Sequence, residues 1–275
     1  MSQPPLPGTT PPRRHPSSAD LTGRPELSSA ADPLPALPPI TFPVVEPPEP
    51  ALRLGPELDE ETATRLVGNI EAKRVLELGC GSGANAIALA LRGAKVIVVD
   101  PSLERLTRAR RNAEEHNARI EFHHGDLADL AFIRADQVDL CLAIYSLATI
   151  TDVSRVFRQV HRVQRTEAPF VISLPHPSIY SCELGDGGPP HLVRAADDPT
   201  PIAWPLDWPD EPDLPHDIVP HRISEMLTNL TRSNFRVDML METMDDTGNG
   251  RSTYRSELQM WVPASFVIRG RKQGI

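Results

Sequence analysis

Short apolar runs alternate along this chain with stretches in which apolar residues recur every three or four positions. The runs predict strands over 75–78, 95–99, 119–123, 138–144 and 170–174, each short enough to be buried on both faces. The longer period predicts helices beside them. Over 56–70, Leu58, Thr62, Leu66 and Ile70 share a face; over 101–117, Leu103, Leu106, Ala109 and Ala113; over 152–163, Val153, Val156, Phe157 and Val160. The stretch 84–91, ANAIALAL, is apolar almost all round and closes at Gly93, a normal helix stop. Strand and helix in alternation predict a parallel sheet with helices on both faces.

That rhythm fails over 176–220, a stretch with ten prolines together with Tyr180, Trp204 and Trp208. It is too long for a simple crossover and too aromatic for a disordered tail, so a cap over a substrate is expected there. Periodicity returns in a helix over 221–234, with Ile223, Met226, Leu227 and Leu230 inward. Strands over 235–241 and 258–268 follow, joined by the polar loop DDTGNGRSTY, and Met239, Met241 and Met244 are expected to fill core. Residues 1–50 have no period at all. Half of the chain's 30 prolines lie there. Such a segment has too little apolar surface to offset its ordering entropy, so a disordered tail is expected before a domain over 51–275. PPLPGTTPP and ALPPITFPVVEPPEP could present polyproline II to a protein partner.

Composition narrows the classes. A formal net charge of −9 argues against nucleic acid as the main partner. No apolar run approaches the ~20 residues of a membrane span. The amino terminus lacks the apolar region of a signal peptide. Cys80, Cys141 and Cys182 are scattered, neither a disulfide framework nor a zinc cluster, so the cytoplasm is the expected location. His123 and His124 are adjacent on a strand and face opposite ways, so no metal site is expected.

The chemistry gathers in RVLELGCGSGANAIALALRGAKVIVVD, from Arg74 to Asp100. It reads as strand, glycine turn, helix and strand, with a ligand due at the carboxyl edge of the sheet. Gly79, Gly81 and Ala84 also satisfy the spacing of a dinucleotide turn, and Asp100 lies where an acid would bind an NAD ribose. Glu77 separates the two ligands. A carboxylate at the end of a buried strand repels a pyrophosphate and attracts a ligand carrying an ammonium and a sulfonium.

ELGCGSG, followed by VVDPS, HHGDLADL and DLCLAIYSLATITD, resembles the class I S-adenosylmethionine (SAM)-dependent methyltransferases, in the small-molecule "methyltransferase domain" group, over about residues 58–268. The resemblance implies an α/β fold: a Rossmann-like, doubly wound sheet of seven strands in the order 3-2-1-4-5-7-6, with strand 7 antiparallel. It implies SAM as methyl donor, held by Glu77, Gly79, Cys80, Gly81, Gly83, Asp100, Pro101, Asp126, Leu127 and Ala143. In that scheme Asp100 takes the ribose, Asp126 the adenine amine, and Arg53 could reach the ligand carboxylate. The residues leave Asp126 a second role, as the N-cap of a short helix through Leu130. One departure is VQRTEAP at 163–169, where relatives carry a Leu-Lys-Pro-Gly-Gly turn.

The function these readings imply is methyl transfer to an oxygen, nitrogen or carbon of a small organic acceptor. Aligning donor and nucleophile in a dry site supplies much of that chemistry, and an oxygen or nitrogen acceptor also calls for a base. His176, His221 and Tyr145 are the candidates, with Tyr180 in the cap. His176 ranks first because it lies just beyond a strand's carboxyl end. Two alternatives remain: a SAM-binding regulatory module without activity, and an NAD-dependent oxidoreductase.

Overall fold

The computed structural model describes residues 50–55, 58–184, 189–195, 197–204, 216–243, 258 and 261–274, the side chains at 203–204 and 216–217 excepted. The tail expected over 1–50, apart from Pro50, lies outside them, as do Trp208, Met244 and the DDTGNGRSTY loop.

The chain enters along 50–55 and turns into α1 (Glu60–Val67), capped by Asp59, whose Oδ1 accepts the Thr62 N–H at 2.7 Å. Gly68, at φ 72°, ends α1 short of the expected 70. The buried face holds Ala63, Leu66 and Val67 rather than Thr62. Then come β1 (Arg74–Leu78), α2 (Ala84–Leu91), β2 (Lys95–Asp100), α3 (Leu103–Glu115), β3 (Ile120–His124), β4 (Leu140–Ile144), α4 (Val153–Val163) and β5 (Pro169–Pro175). Leu103, expected inward, opens α3 and is 58 % exposed. In the departing turn at 163–169, Glu167 adopts φ 63°, the left-handed geometry that a glycine usually supplies.

The irregular stretch after β5 is more ordered than its sequence suggests. It contains α5 (Pro177–Ser181) and two small hairpins, β6 (Cys182–Leu184) with β7 (Pro190–Leu192), and β8 (Ile202–Trp204) with β9 (His216–Ile218). Ile179, Tyr180 and Ile218 anchor it in the core. The chain ends through α6 (Ile223–Arg232), β10 (Phe235–Thr243) and β11 (Ser265–Lys272). The last strand begins seven residues later than position 258, because Pro263 has no N–H to give to a ladder and the Trp261 and Val262 N–H groups donate to the Leu258 carbonyl instead.

Seven strands form one sheet in the order 3-2-1-4-5-11-10, with β11 antiparallel to both neighbours. With the two small hairpins set aside, this is the order the resemblance implied. Leu76, Leu78, Val99, Ala143 and Ile172 pack on one face under α4 and α6. Val75, Val98, Leu142 and Val171 pack on the other, with α1, α2 and the incoming Leu52 and Leu54. The strand order reverses between β1 and β4, which pair in parallel and lead to β2 on one side and β5 on the other, and this opens the crevice where such sheets bind ligands.

Candidate active site

The glycine turn closes β1 against β2: the Gly79 N–H donates to the Val99 carbonyl at 2.7 Å. Its three glycines do different work. Gly79 sits at φ 77°, and a Cβ there would meet Ser146 Cβ at 2.4 Å. Gly83, at φ 87°, lets α2 approach Ala109 of α3, where a Cβ would come to 2.9 Å. Gly81, at φ 50°, faces open space, with nothing within 4 Å of an added Cβ. That open backbone is where a ligand can come close. Gly79→Ala is expected to cost about 1–3 kcal/mol for a left-handed alanine, and to displace Ser146 besides. A thermal melt and a cofactor titration check it; an unchanged melt and affinity would contradict this account of the turn.

Glu77 is the unusual residue of β1, only 2 % exposed. The Asn85 side chain and the Ala86 backbone favour its charged form, while Oε2 is buried without a partner. Burial first, and then the neighbouring Asp100, push its pKa up to about 8. Asn85 lies in the first turn of α2 and ties this corner together. Its Oδ1 accepts the Arg53 N–H at 2.7 Å and its Nδ2 donates to the Arg53 carbonyl at 2.8 Å. The entering segment is thereby tied to α2, with Leu52 and Leu54 fully buried and the Arg53 side chain outside. Asn85 was not singled out from the sequence, although one amide in an alanine-leucine helix was the available signal.

Asp100 is fully buried and accepts two backbone N–H groups, Cys80 at 2.8 Å and Ser102 at 2.7 Å. It therefore holds the glycine turn to the end of β2, in addition to any ribose contact. Cys80 is buried, and desolvation together with Asp100 and Glu77 pushes its thiol far up, so it stays protonated. Pro101 is exposed beside it, its carbonyl accepting from His124 Nε2 at 3.0 Å. Asp126 is exposed, and its Oδ1 accepts the Ala128 N–H at 2.8 Å. The backbone there forms a turn, not the short helix through Leu130. Leu127 is buried beside it. Ala143 is fully buried inside β4, short of the edge; Tyr145 is the residue that arrives there.

Tyr145 adopts φ 57°, an uncommon left-handed conformation for a bulky side chain, and caps a 3-10 turn, Ser146–Thr149. Its hydroxyl hydrogen-bonds Ser265 Oγ. His176 has both ring nitrogens committed: Nδ1 accepts the Ser178 N–H at 3.1 Å and Nε2 faces Glu242 Oε1 at 3.1 Å. It caps α5 and has no nitrogen left for a substrate proton, which removes it from first rank as a base. His221 differs. Its Nε2 lies 2.9 Å from the Ile150 carbonyl and 3.2 Å from that of Leu147, so the proton sits on Nε2. Its Nδ1 is buried without a partner. Burial holds its pKa below the usual histidine value, keeping the ring neutral, while Glu225 and the two carbonyls act the other way.

Residues 75–167 match the family described as methyltransferase domain. An SAM-dependent methyltransferase from Mesorhizobium loti superposes with a TM-score of 0.60 at 25 % identity, over 74 % of this chain and 93 % of that one. The chain has the class I SAM-dependent methyltransferase fold. A ubiquinone biosynthesis O-methyltransferase of Pseudomonas syringae pv. tomato is 34 % identical over 95 residues, 34 % of this chain and 41 % of that protein. A magnesium-protoporphyrin O-methyltransferase of Rhodobacter capsulatus is 33 % identical over 114 residues, 40 % and 49 % of the two. The chain thus spans between two fifths and half the length of these curated relatives.

SAM is the methyl donor that goes with a class I methyltransferase, and this corner fits it. The buried, unpartnered Glu77 Oε2 suits an ammonium, and the clear backbone at Gly81 suits a close-lying ligand. An NAD pyrophosphate would meet the same Glu77 carboxyl. Among the described residues no group of three or more His, Cys, Asp or Glu could hold a metal, and no helix is long and apolar enough to cross a membrane.

Proposed function

We propose that this protein transfers a methyl group from SAM to a hydroxyl oxygen of a small organic acceptor, with His221 as the base. The observation that carries the reading is His221 itself, a buried neutral imidazole with Nε2–H fixed and the Nδ1 lone pair unspent. It is clamped to the 3-10 turn after β4, at the same carboxyl edge as the glycine turn. SAM supplies a methyl carbon made electrophilic by positive sulfur. The chain's part is to orient the acceptor, exclude water, and take the hydroxyl proton on Nδ1 as the oxygen bonds to carbon. We read the stretch after β5 as a cap for this edge, and its tie to the edge supports that: the Val219 N–H, just past β9, donates to the Ala148 carbonyl at 2.7 Å. The names of the relatives, which methylate oxygen, support the same acceptor atom. For the cofactor, Glu77, the Gly79–Gly83 turn, Asp100 and the exposed Asp126 are the residues we assign.

Two measurements test this. Titration calorimetry is expected to show binding of S-adenosylhomocysteine and none of NAD. Labelled SAM, offered with matched hydroxyl, amine and carbon acceptors, is expected to label the hydroxyl compounds. Label on amines alone would remove the oxygen reading, and a failure to bind the homocysteine product would remove methyl transfer altogether.

A further inference from the structure

Beneath the cap lies a second buried group with an unspent hydrogen bond. Arg194 follows β7, and its side chain is 9 % exposed. Nη2 is used within the cap: it donates to the Thr200 carbonyl, to the Asp198 carbonyl at 3.3 Å, and pairs with Asp198 Oδ2 at 3.2 Å. Nε is buried with no partner among the described residues. Asp198 is itself a third exposed, and its Oδ1 accepts the Thr200 N–H at 2.9 Å. One edge of the guanidinium is thus held by the loop, and the Nε edge keeps a buried, charged donor in need of an acceptor oxygen.

The neighbourhood joins this donor to the proposed base. The Arg194 charge reaches the Tyr180 hydroxyl, opposing the upward push of burial there. That hydroxyl stands 3.5 Å from the His221 carbonyl. Glu225 is the acid felt by both Tyr180 and His221. Tyr180 thus neighbours both an unspent cationic donor, Arg194 Nε, and the residue that carries an unspent neutral acceptor, His221 Nδ1. A chain of net charge −9 offers an anion no general attraction, so an anionic substrate has to be captured by a specific buried cation.

We propose that the methyl acceptor is a hydroxylated organic acid whose carboxylate is received by Arg194. This rests on the methyl-transfer reading. The acid's hydroxyl oxygen forms the new bond to the methyl carbon, its proton passes to His221 Nδ1, and the carbon–sulfur electron pair returns to sulfur. Arg194 takes no part in that exchange. It fixes which molecules can lie with a hydroxyl at His221, because a planar guanidinium matches a carboxylate and a neutral amide cannot replace the charge.

The experiment compares hydroxybenzoates and 2-hydroxy acids, each beside its own primary amide, by calorimetry on protein saturated with S-adenosylhomocysteine and by turnover with labelled SAM. Acids are expected to bind about 10- to 100-fold more tightly than their amides, the worth of a charge-assisted hydrogen bond. Arg194→Gln is expected to erase that preference and Arg194→Lys to keep part of it, with S-adenosylhomocysteine affinity unchanged in both. Amides binding as well as acids, neither binding, or a Gln variant that weakens acids and amides alike would overturn the proposal. Should Arg194→Gln fail to fold, the acid-against-amide comparison on the natural chain still decides. Loss of S-adenosylhomocysteine binding by the natural chain would instead remove the methyl-transfer reading, and this proposal with it.

Discussion

Replacing His221 with glutamine is expected to lower kcat for a hydroxyl acceptor by about two to four orders of magnitude, the usual worth of a positioned base. The substitution is chosen for what it retains. A glutamine amide nitrogen can still donate to the Leu147 and Ile150 carbonyls that now receive Nε2–H, so the 3-10 turn keeps its clamp. What it loses is the basic lone pair at Nδ1. S-adenosylhomocysteine affinity should stay within about threefold and the melting temperature within a few degrees, because Glu77 and the glycine turn are untouched. The natural enzyme should also show a rate that rises with pH and levels off below the ordinary histidine value, since burial depresses this pKa and only the neutral ring accepts a proton. The variant should lack that limb. A kcat within threefold of the natural enzyme would leave proximity alone as the source of rate and take His221 out of the chemistry.

The sequence carried the cofactor half of this site better than the acceptor half, and the reason is locality. Strand, glycine turn and helix are neighbours along the chain, so Glu77, Gly79 and Gly83 were visible in a window of seven residues. The buried carboxyl of Glu77 was legible because the run around it is apolar. The contacts made when separate elements meet were not. Ser146 against Gly79, Asn85 against Arg53, and the two hydrogen bonds that Asp100 accepts from Cys80 and Ser102 all depend on β4, the entering segment and β2 meeting at one edge. His176 was preferred over His221 because position after a strand is readable from sequence and hydrogen-bond commitment is not. The stretch 176–220 reads as irregular in the sequence because the three-residue strands β6 to β9 leave almost no periodic signal. Arg194 carried no signal at all, because an arginine among loop residues looks solvated until its side chain is seen buried.

Cofactor affinity is expected to depend on pH through Glu77, and the sign follows from its surroundings. Burial and Asp100 hold the free protein's Glu77 neutral up to about pH 8. Asn85 and Ala86 are the donors that oppose this, and the nearby thiols of Cys80 and Cys141 are pushed up by burial and stay neutral. An ammonium placed at Oε2 favours the ionised carboxylate, so binding should release a proton below pH 8 and affinity should climb as pH rises toward that value. At pH 6, two units below, the deficit is about 2.7 kcal/mol, roughly 100-fold, if binding requires full ionisation. Stability of the ligand-free protein should run the opposite way. The folded pKa lies above the ordinary carboxyl value of 4.5, so Glu77's contribution is fully present below about 4.5 and is lost as pH rises to about 8. Calorimetry in buffers of different ionisation enthalpy counts the proton released, and Glu77→Gln should bind weakly at every pH with no proton released. A flat affinity between pH 6 and 8 in the natural chain would mean that Glu77 is already charged before the ligand arrives, or that the ligand amine is held elsewhere.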